Sequence, residues 1–202
     1  MTKRILGLLI AIAAFLLTSG FQQTAKQTPA HKLARIKSPA ELAGWVEFSS
    51  VEGGFTVWMP GKPVEPPIPQ AAQEAFKKAG ASPRVFMHAT PKRVGFLVSY
   101  SDIELDFSIP KAKEDFLDGV RNGQIMASKG SKLLSEKAIR LDGHPGREFV
   151  KKTPTIITKT RAYVVGNRSY ILSFITPLNI QDKKNDCEKF FDSFKLVNRQ
   201  KA

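Results

Sequence analysis

The chain has 202 residues, and its 31 Lys and Arg against 18 Asp and Glu leave a formal net charge of +13. That length suffices for one domain with a real core, and a single cysteine, Cys187, rules out an intramolecular disulfide. The fold therefore stands on its apolar core.

The N-terminus reads as a secretory signal over residues 1–20. Lys3 and Arg4 form a positive region, and Ile5 to Leu17 is an apolar run of thirteen residues. Thr18-Ser19-Gly20 offers small residues for cleavage, with Gln23-Thr24-Ala25 as a second candidate. The run is short for a spanning helix, which needs ~20 apolar residues. A cleaved signal is thus preferred to an uncleaved N-terminal anchor. Cleavage after Gly20 removes Lys3 and Arg4 and lowers the charge from +13 to +11. Outside the cytoplasm such a basic surface points to an anionic membrane, an envelope polymer or an acidic protein ahead of nucleic acid. The plain alternative is a solvated surface that keeps the protein soluble.

Residues 21–37 are polar, without periodicity, and read as a disordered tether. Ser38-Pro39-Ala40-Glu41 carries helix-start signals, and that helix would end at Gly44. Trp45 to Phe48 and Phe55 to Met59 read as paired strands, with Phe55, Val57 and Met59 on one face and Thr56 and Trp58 on the other. Five prolines between Pro60 and Pro69 make an extended surface loop. Gln70 to Ala79 predicts a short helix stopped by Gly80. Arg84 to Ala89 and Gly95 to Tyr100 predict a second hairpin.

A longer helix is expected from Pro110 to about Ser128. Ala112, Phe116, Gly119, Val120, Gly123 and Ala127 fall on one side of it at helical spacing. Leu133 to Leu141 and Glu148 to Lys152 then read as strands meeting at a turn over Asp142-Gly143-His144-Pro145-Gly146. The clearest hairpin follows, around Gly166-Asn167, a pair able to take the positive φ angles of a tight turn. Its register sets Val165 against Arg168, Tyr163 against Tyr170, Ala162 against Ile171 and Arg161 against Leu172. Neither face is purely polar, so this hairpin belongs in a sheet covered on both sides. A last helix, Asp182 to Phe191, precedes a short terminal strand at Phe194-Lys195-Leu196. No internal repeat and no second domain is visible.

FTVWMPGKP (Phe55 to Pro63), GHPGREF (Gly143 to Phe149), RAYVVGNRSYIL (Arg161 to Leu172) and FFDSFKL (Phe190 to Leu196) stand in the order and roughly at the spacing of PsbP-like proteins. These are relatives of the extrinsic oxygen-evolving protein of photosystem II and include bacterial envelope proteins. The resemblance spans about residues 45 to 197. It implies an α+β fold, a mainly antiparallel sheet flanked by helices in an α/β/α sandwich, as a single PsbP-like domain over residues 38–202. It also implies export, to the periplasm, the thylakoid lumen or the extracellular space, and a role in binding or assembly without catalysis. The stretch from Lys62 to Pro83 is longer than the family suggests.

Candidate chemistry is sparse, and no cofactor is indicated. The histidines His31, His88 and His144 show no zinc-ligand spacing. His144 with Asp142 and Glu148 could gather at a turn, but a turn histidine is the favoured reading, so no metal ligands are assigned. Asp102, Glu104 and Asp106 alternate and could share a strand face for a hard cation; a solvated acidic strand end is favoured. No nucleophile elbow or phosphate-cradling loop is present, so no catalytic residues are assigned. Cys187, four residues before Phe191, reads as a small buried apolar group. The candidate partner-binding residues are Arg147, Lys159, Arg161, Tyr163 and Tyr170. Lys159, Arg161, Tyr163, Tyr170 and Phe174 share one hairpin face, with Arg147 and Lys151 as neighbours from the preceding strand. The competing reading, which is preferred, makes the aromatics core and the basic side chains its margin. The function expected is an exported, non-catalytic binding or assembly factor. The alternative is a secreted hydrolase or metal-dependent enzyme whose site forms only in three dimensions.

Overall fold

The computed structural model describes residues 44–78, 80–109, 111–180 and 184–197. The expected signal, the tether and the helix begun at Ser38 lie outside the described residues. Two antiparallel sheets and three helices make up the described chain. In chain order they are β1 (Val46–Ser50), β2 (Phe55–Met59), α1 (Gln70–Lys78), β3 (Arg84–Ala89), β4 (Gly95–Asp102) and α2 (Ala112–Met126). There follow β5 (Lys132–Leu141), β6 (His144–Lys152), β7 (Ile156–Val165), β8 (Arg168–Pro177), α3 (Lys184–Asp192) and β9 (Lys195–Leu196).

Six strands form the large sheet in the order β3-β4-β8-β7-β6-β5, and β1-β2-β9 form the small one. The β7–β8 hairpin lies at the centre of the large sheet, with the predicted register throughout. One of its faces, with Tyr163, Tyr170, Leu172 and Phe174, packs against Phe55, Val57 and Met59 of β2 and Phe190, Phe191 and Phe194 of the C-terminal segment. The opposite face, with Ala162 and Val164, meets Phe116, Leu117 and Val120 of α2. Both faces of the central strands are therefore dry, which is why neither reads as polar. The main core is unusually aromatic. Phe55 alone meets the rings of Tyr100, Tyr170 and Phe194 at centroid distances of 6.1, 6.1 and 5.5 Å. Burying each such ring fully is worth roughly 1.5–3 kcal/mol.

Three local expectations need correcting. The β5–β6 turn is only two residues long, because Asp142 (φ 48°) and Gly143 (φ 81°) both take left-handed backbone, the type I′ pattern that matches strand twist. His144, Pro145 and Gly146 are consequently part of β6. At the β7–β8 turn Gly166 has φ 56° and Asn167 is not among the positive-φ residues, so the turn follows the type II′ pattern. On α2 the buried face rolls toward Leu117 and Gln124, and Ala127 is exposed. Gly119 and Gly123 are buried on that face as the spacing predicts.

Gly146 is opposite Tyr163 in the β6–β7 register. A Cβ added there would overlap the Tyr163 ring and lie 2.7 Å from the Ala162 carbonyl oxygen. The carbonyl belongs to a central strand and cannot yield without breaking the ladder. Gly146→Ala should therefore cost about 2–3 kcal/mol, the scale of overpacking a tight core. A urea titration monitored by circular dichroism measures this, and an unchanged midpoint would show that β6 can move away from β7.

Candidate functional site

The five residues singled out on the sequence divide into three environments. Tyr163 and Tyr170 are each 4% exposed and belong to the main core. The Tyr163 ring lies nearly parallel to Phe194 at 6.3 Å, and the Tyr170 hydroxyl donates to the Gly53 carbonyl at 2.7 Å. Burial raises the Tyr163 pKa above the ordinary tyrosine value. Tyr170 thus joins the central hairpin to the β1–β2 turn, and neither ring is presented at the surface.

Lys159 and Arg161 lie on the same face, at the margin of that core. They converge on Glu148, which the β6–β7 register sets directly opposite Arg161. Arg161 Nε donates to Glu148 Oε2 at 2.7 Å and its Nη1 to Asp192 Oδ1 at 2.9 Å. Lys159 and Lys137 place their ammonium groups 3.3 and 3.2 Å from Glu148 Oε1. Arg161 also covers the Phe191 ring at 4.8 Å, a cation–π contact that uses its planar face while its edge is paired. Burial alone would raise the Glu148 pKa, but the Arg161 hydrogen bond and the Lys159 charge outweigh it and hold the carboxyl below its usual range. Burial likewise works against the Arg161 charge, yet its bonds to Glu148 and Asp192 leave its pKa raised.

Arg147 lies on the opposite face of the sheet, since it pairs with Ala162 and not with Arg161. It binds Asp118 of α2 and Glu136 of β5. Arg121 of α2 reaches the same Glu136 at 2.5 and 2.6 Å. Burial would raise the Glu136 pKa, and the two guanidinium groups more than offset this and lower it. Lys151, also on this face, is 1% exposed; its ammonium donates to the Gln124 carbonyl at 2.7 Å, near the end of α2. A cation there complements the negative end of the helix. Burial lowers the Lys151 pKa from the usual lysine value. Neither residue is a neighbour of the Lys159–Arg161 pair, because side chains alternate across the strand.

The other candidates are dispersed too. Asp102 forms a bidentate pair with Arg168 at 2.6 and 2.7 Å, Glu104 lies beside Gly80, and Asp106 accepts hydrogen bonds from the Ser108 backbone and hydroxyl. Glu148 is committed to its cations, apart from His144. Among the described residues no three His, Cys, Asp or Glu side chains gather as a metal site. His144 lines an open depression of about 350 Å³ with Asp102, Val165, Asn167, Arg168 and Val197 at the hairpin end. Arg168 also donates to the Glu52 carbonyl at 2.7 Å and lies 4.9 Å over the Tyr100 ring. Cys187 is buried, which pushes its thiol up to about 11. Among the carboxylates that organise these clusters, sequence reasoning missed Glu136, Asp118 and Asp192, and weighed Glu148 only beside His144 and Asp142. The sign was present for Glu148 alone, in GHPGREF, once β6 is set against β7.

Searches for sequence relatives find no matching protein family and no matching curated protein. Solved structures do match. The solution structure of cyanobacterial PsbP from Synechocystis is 12% identical, covers 81% of this chain and 98% of its own, and superposes with a TM-score of 0.55. The crystal structure of the Ran-binding protein Mog1p of Saccharomyces cerevisiae is 10% identical, covers 76% and 96%, and has a TM-score of 0.47. With its antiparallel sheets, its helices and this superposition, the chain has a PsbP-like α+β fold.

Proposed function

We propose that the protein is an exported, non-catalytic binding or assembly factor of the cell envelope or thylakoid lumen. A signal over 1–20 and a tether over 21–37 would precede a single domain over 38–202. The observation that supports this reading is its charge. Once Lys3 and Arg4 leave with the signal, the 31 basic side chains fall to 29 against 18 acidic ones, and eleven cations stay uncompensated however the ion pairs are arranged. The described carboxylates are also shared unevenly, with three cations on Glu148 and two on Glu136. That excess of positive charge favours an acidic protein or an anionic surface as partner. Among the described residues no helix is long and apolar enough to cross a membrane. The PsbP-like fold supports the reading by analogy of architecture.

The test is expression of the full chain in a bacterial host, followed by envelope fractionation, N-terminal sequencing and affinity capture. The expected product begins at Phe21 or Lys26, is released without detergent, and retains an acidic partner that salt removes. Intact Met1 in the membrane pellet, or capture unaffected by salt, would overturn it.

A further inference from the structure

One corner of the large sheet combines exposed aliphatic side chains with unpaired lysines. α2 ends at Met126, and a turn closed by the Ser131 N–H donating to the Ser128 carbonyl at 3.1 Å leads directly into β5. Met126 is 85% exposed, and Leu133 and Leu134 are 40% and 54% exposed. β5 is an edge strand, and its register slips between Leu133 and Ser135, so Leu134 has no partner on β6. Such a bulge bends the strand and re-aims its side chains. Here it leaves two successive leucines at the surface, whereas a fully covered edge would hide at least one.

The charges around them all have one sign. Residues 126–135 and 150–156 contain no Asp or Glu, and they carry Lys129, Lys132, Lys151 and Lys152. Lys151 is internal; Lys129, Lys132 and Lys152 are exposed. Lys132 and Lys152 are directly opposite in the β5–β6 register. Like charges across a pair destabilise a sheet, so this arrangement works against folding unless an outside anion relieves it. The nearest carboxylate along β5, Glu136, is held by Arg121 and Arg147.

We propose that this corner is a docking site for an anionic lipid surface, with Met126, Leu133 and Leu134 entering the headgroup layer and Lys129, Lys132 and Lys152 resting on lipid phosphates. Lipid is favoured over an acidic protein because Met126 stands almost wholly clear of the body. A lone protruding aliphatic chain gains from an apolar layer that accepts it at any position, whereas a protein partner needs a fitted pocket. Lysines beside such chains add attraction to anionic headgroups that falls off with salt. The inference rests on the export proposed above, which would bring the chain to such a surface.

The experiment is flotation of the purified mature chain with vesicles of phosphatidylcholine alone or mixed with phosphatidylglycerol, across a salt series. Binding is expected only with phosphatidylglycerol. Lys129→Ser, Lys132→Ser and Lys152→Ser together should weaken it by roughly fivefold per lysine removed. Met126→Asp with Leu134→Asp should abolish retention with an unchanged thermal midpoint, since the replaced side chains are exposed. The control removes the same charge beside the opposite edge, through Lys62→Ser, Lys92→Ser and Arg93→Ser, and should retain most binding. Equal loss in both triple variants would assign binding to net charge and overturn the site, as would failure of the wild-type chain to float. A lipid-free dimer that Leu134→Asp dissociates would overturn it in favour of self-pairing along β5. Absent flotation while the envelope still yields a salt-sensitive protein partner would remove the lipid site and leave the binding-factor reading intact.

Discussion

Replacing Val120 by Asp is expected to abolish the cooperative fold. Val120 is 3% exposed and packs with Phe116 and Leu117 against Ala162 and Val164, the α2-facing side of the central hairpin. A carboxylate there would lose its hydration. The cations on this side of the sheet are already engaged, Arg121 and Arg147 by Glu136 and Lys151 by the Gln124 carbonyl. An unpaired buried charge with lost apolar contact should cost more than about 4 kcal/mol, a large share of a domain's total stability. Circular dichroism and thermal melting of the variant measure it. A melting temperature equal to that of the wild type would mean that α2 does not present this face to the sheet.

The second large effect is expected at Glu148. Glu148→Gln removes the one negative charge on which Arg161, Lys159 and Lys137 converge, and leaves them close to one another at the edge of the aromatic core. Arg161 keeps Asp192, and Lys137 is largely solvated, so the cost is less than for a fully buried cluster; roughly 3 kcal/mol is expected. The pH dependence gives an independent check. Burial would raise the Glu148 pKa, but its cations lower it below the ordinary 4.5. The unfolded chain then binds the proton more readily than the folded one. The stabilisation is accordingly complete above about 4.5 and is lost as pH falls through the lower folded value. Urea titrations of wild type and variant should differ most near neutrality and converge in acid. A difference independent of pH would show that Glu148 acts through packing. Glu136, also lowered by its guanidinium partners, destabilises both proteins in acid and cancels from the comparison.

Local pattern was enough for most elements. Alternation placed Phe55, Val57 and Met59 in the core, and Gly166 with its flanking Val, Ile, Tyr and Phe residues dictated both the central hairpin and its register. These are short-range effects of side-chain period and backbone freedom, so nothing distant was needed to read them. The α+β fold was implied instead by the resemblance of four ordered motifs to PsbP-like proteins, and the superposition on cyanobacterial PsbP agrees with it. Tertiary structure alone decided what the basic residues do. Arg147 and Arg161, on the adjacent strands β6 and β7, serve opposite faces because Arg147 is set against Ala162 and Glu148 against Arg161. Which basic side chains are committed depends on Glu148, which holds Lys137, Lys159 and Arg161, and on Glu136 and Asp118, which hold Arg121 and Arg147. Separation of the sheets into six and three strands depends on β9 pairing with β2 across most of the chain. The exposed corner at Met126 and Leu134 follows from a register slip on an edge strand. Charge and composition made the protein basic; only the long-range pairings determined where that charge is spent internally and where it remains available.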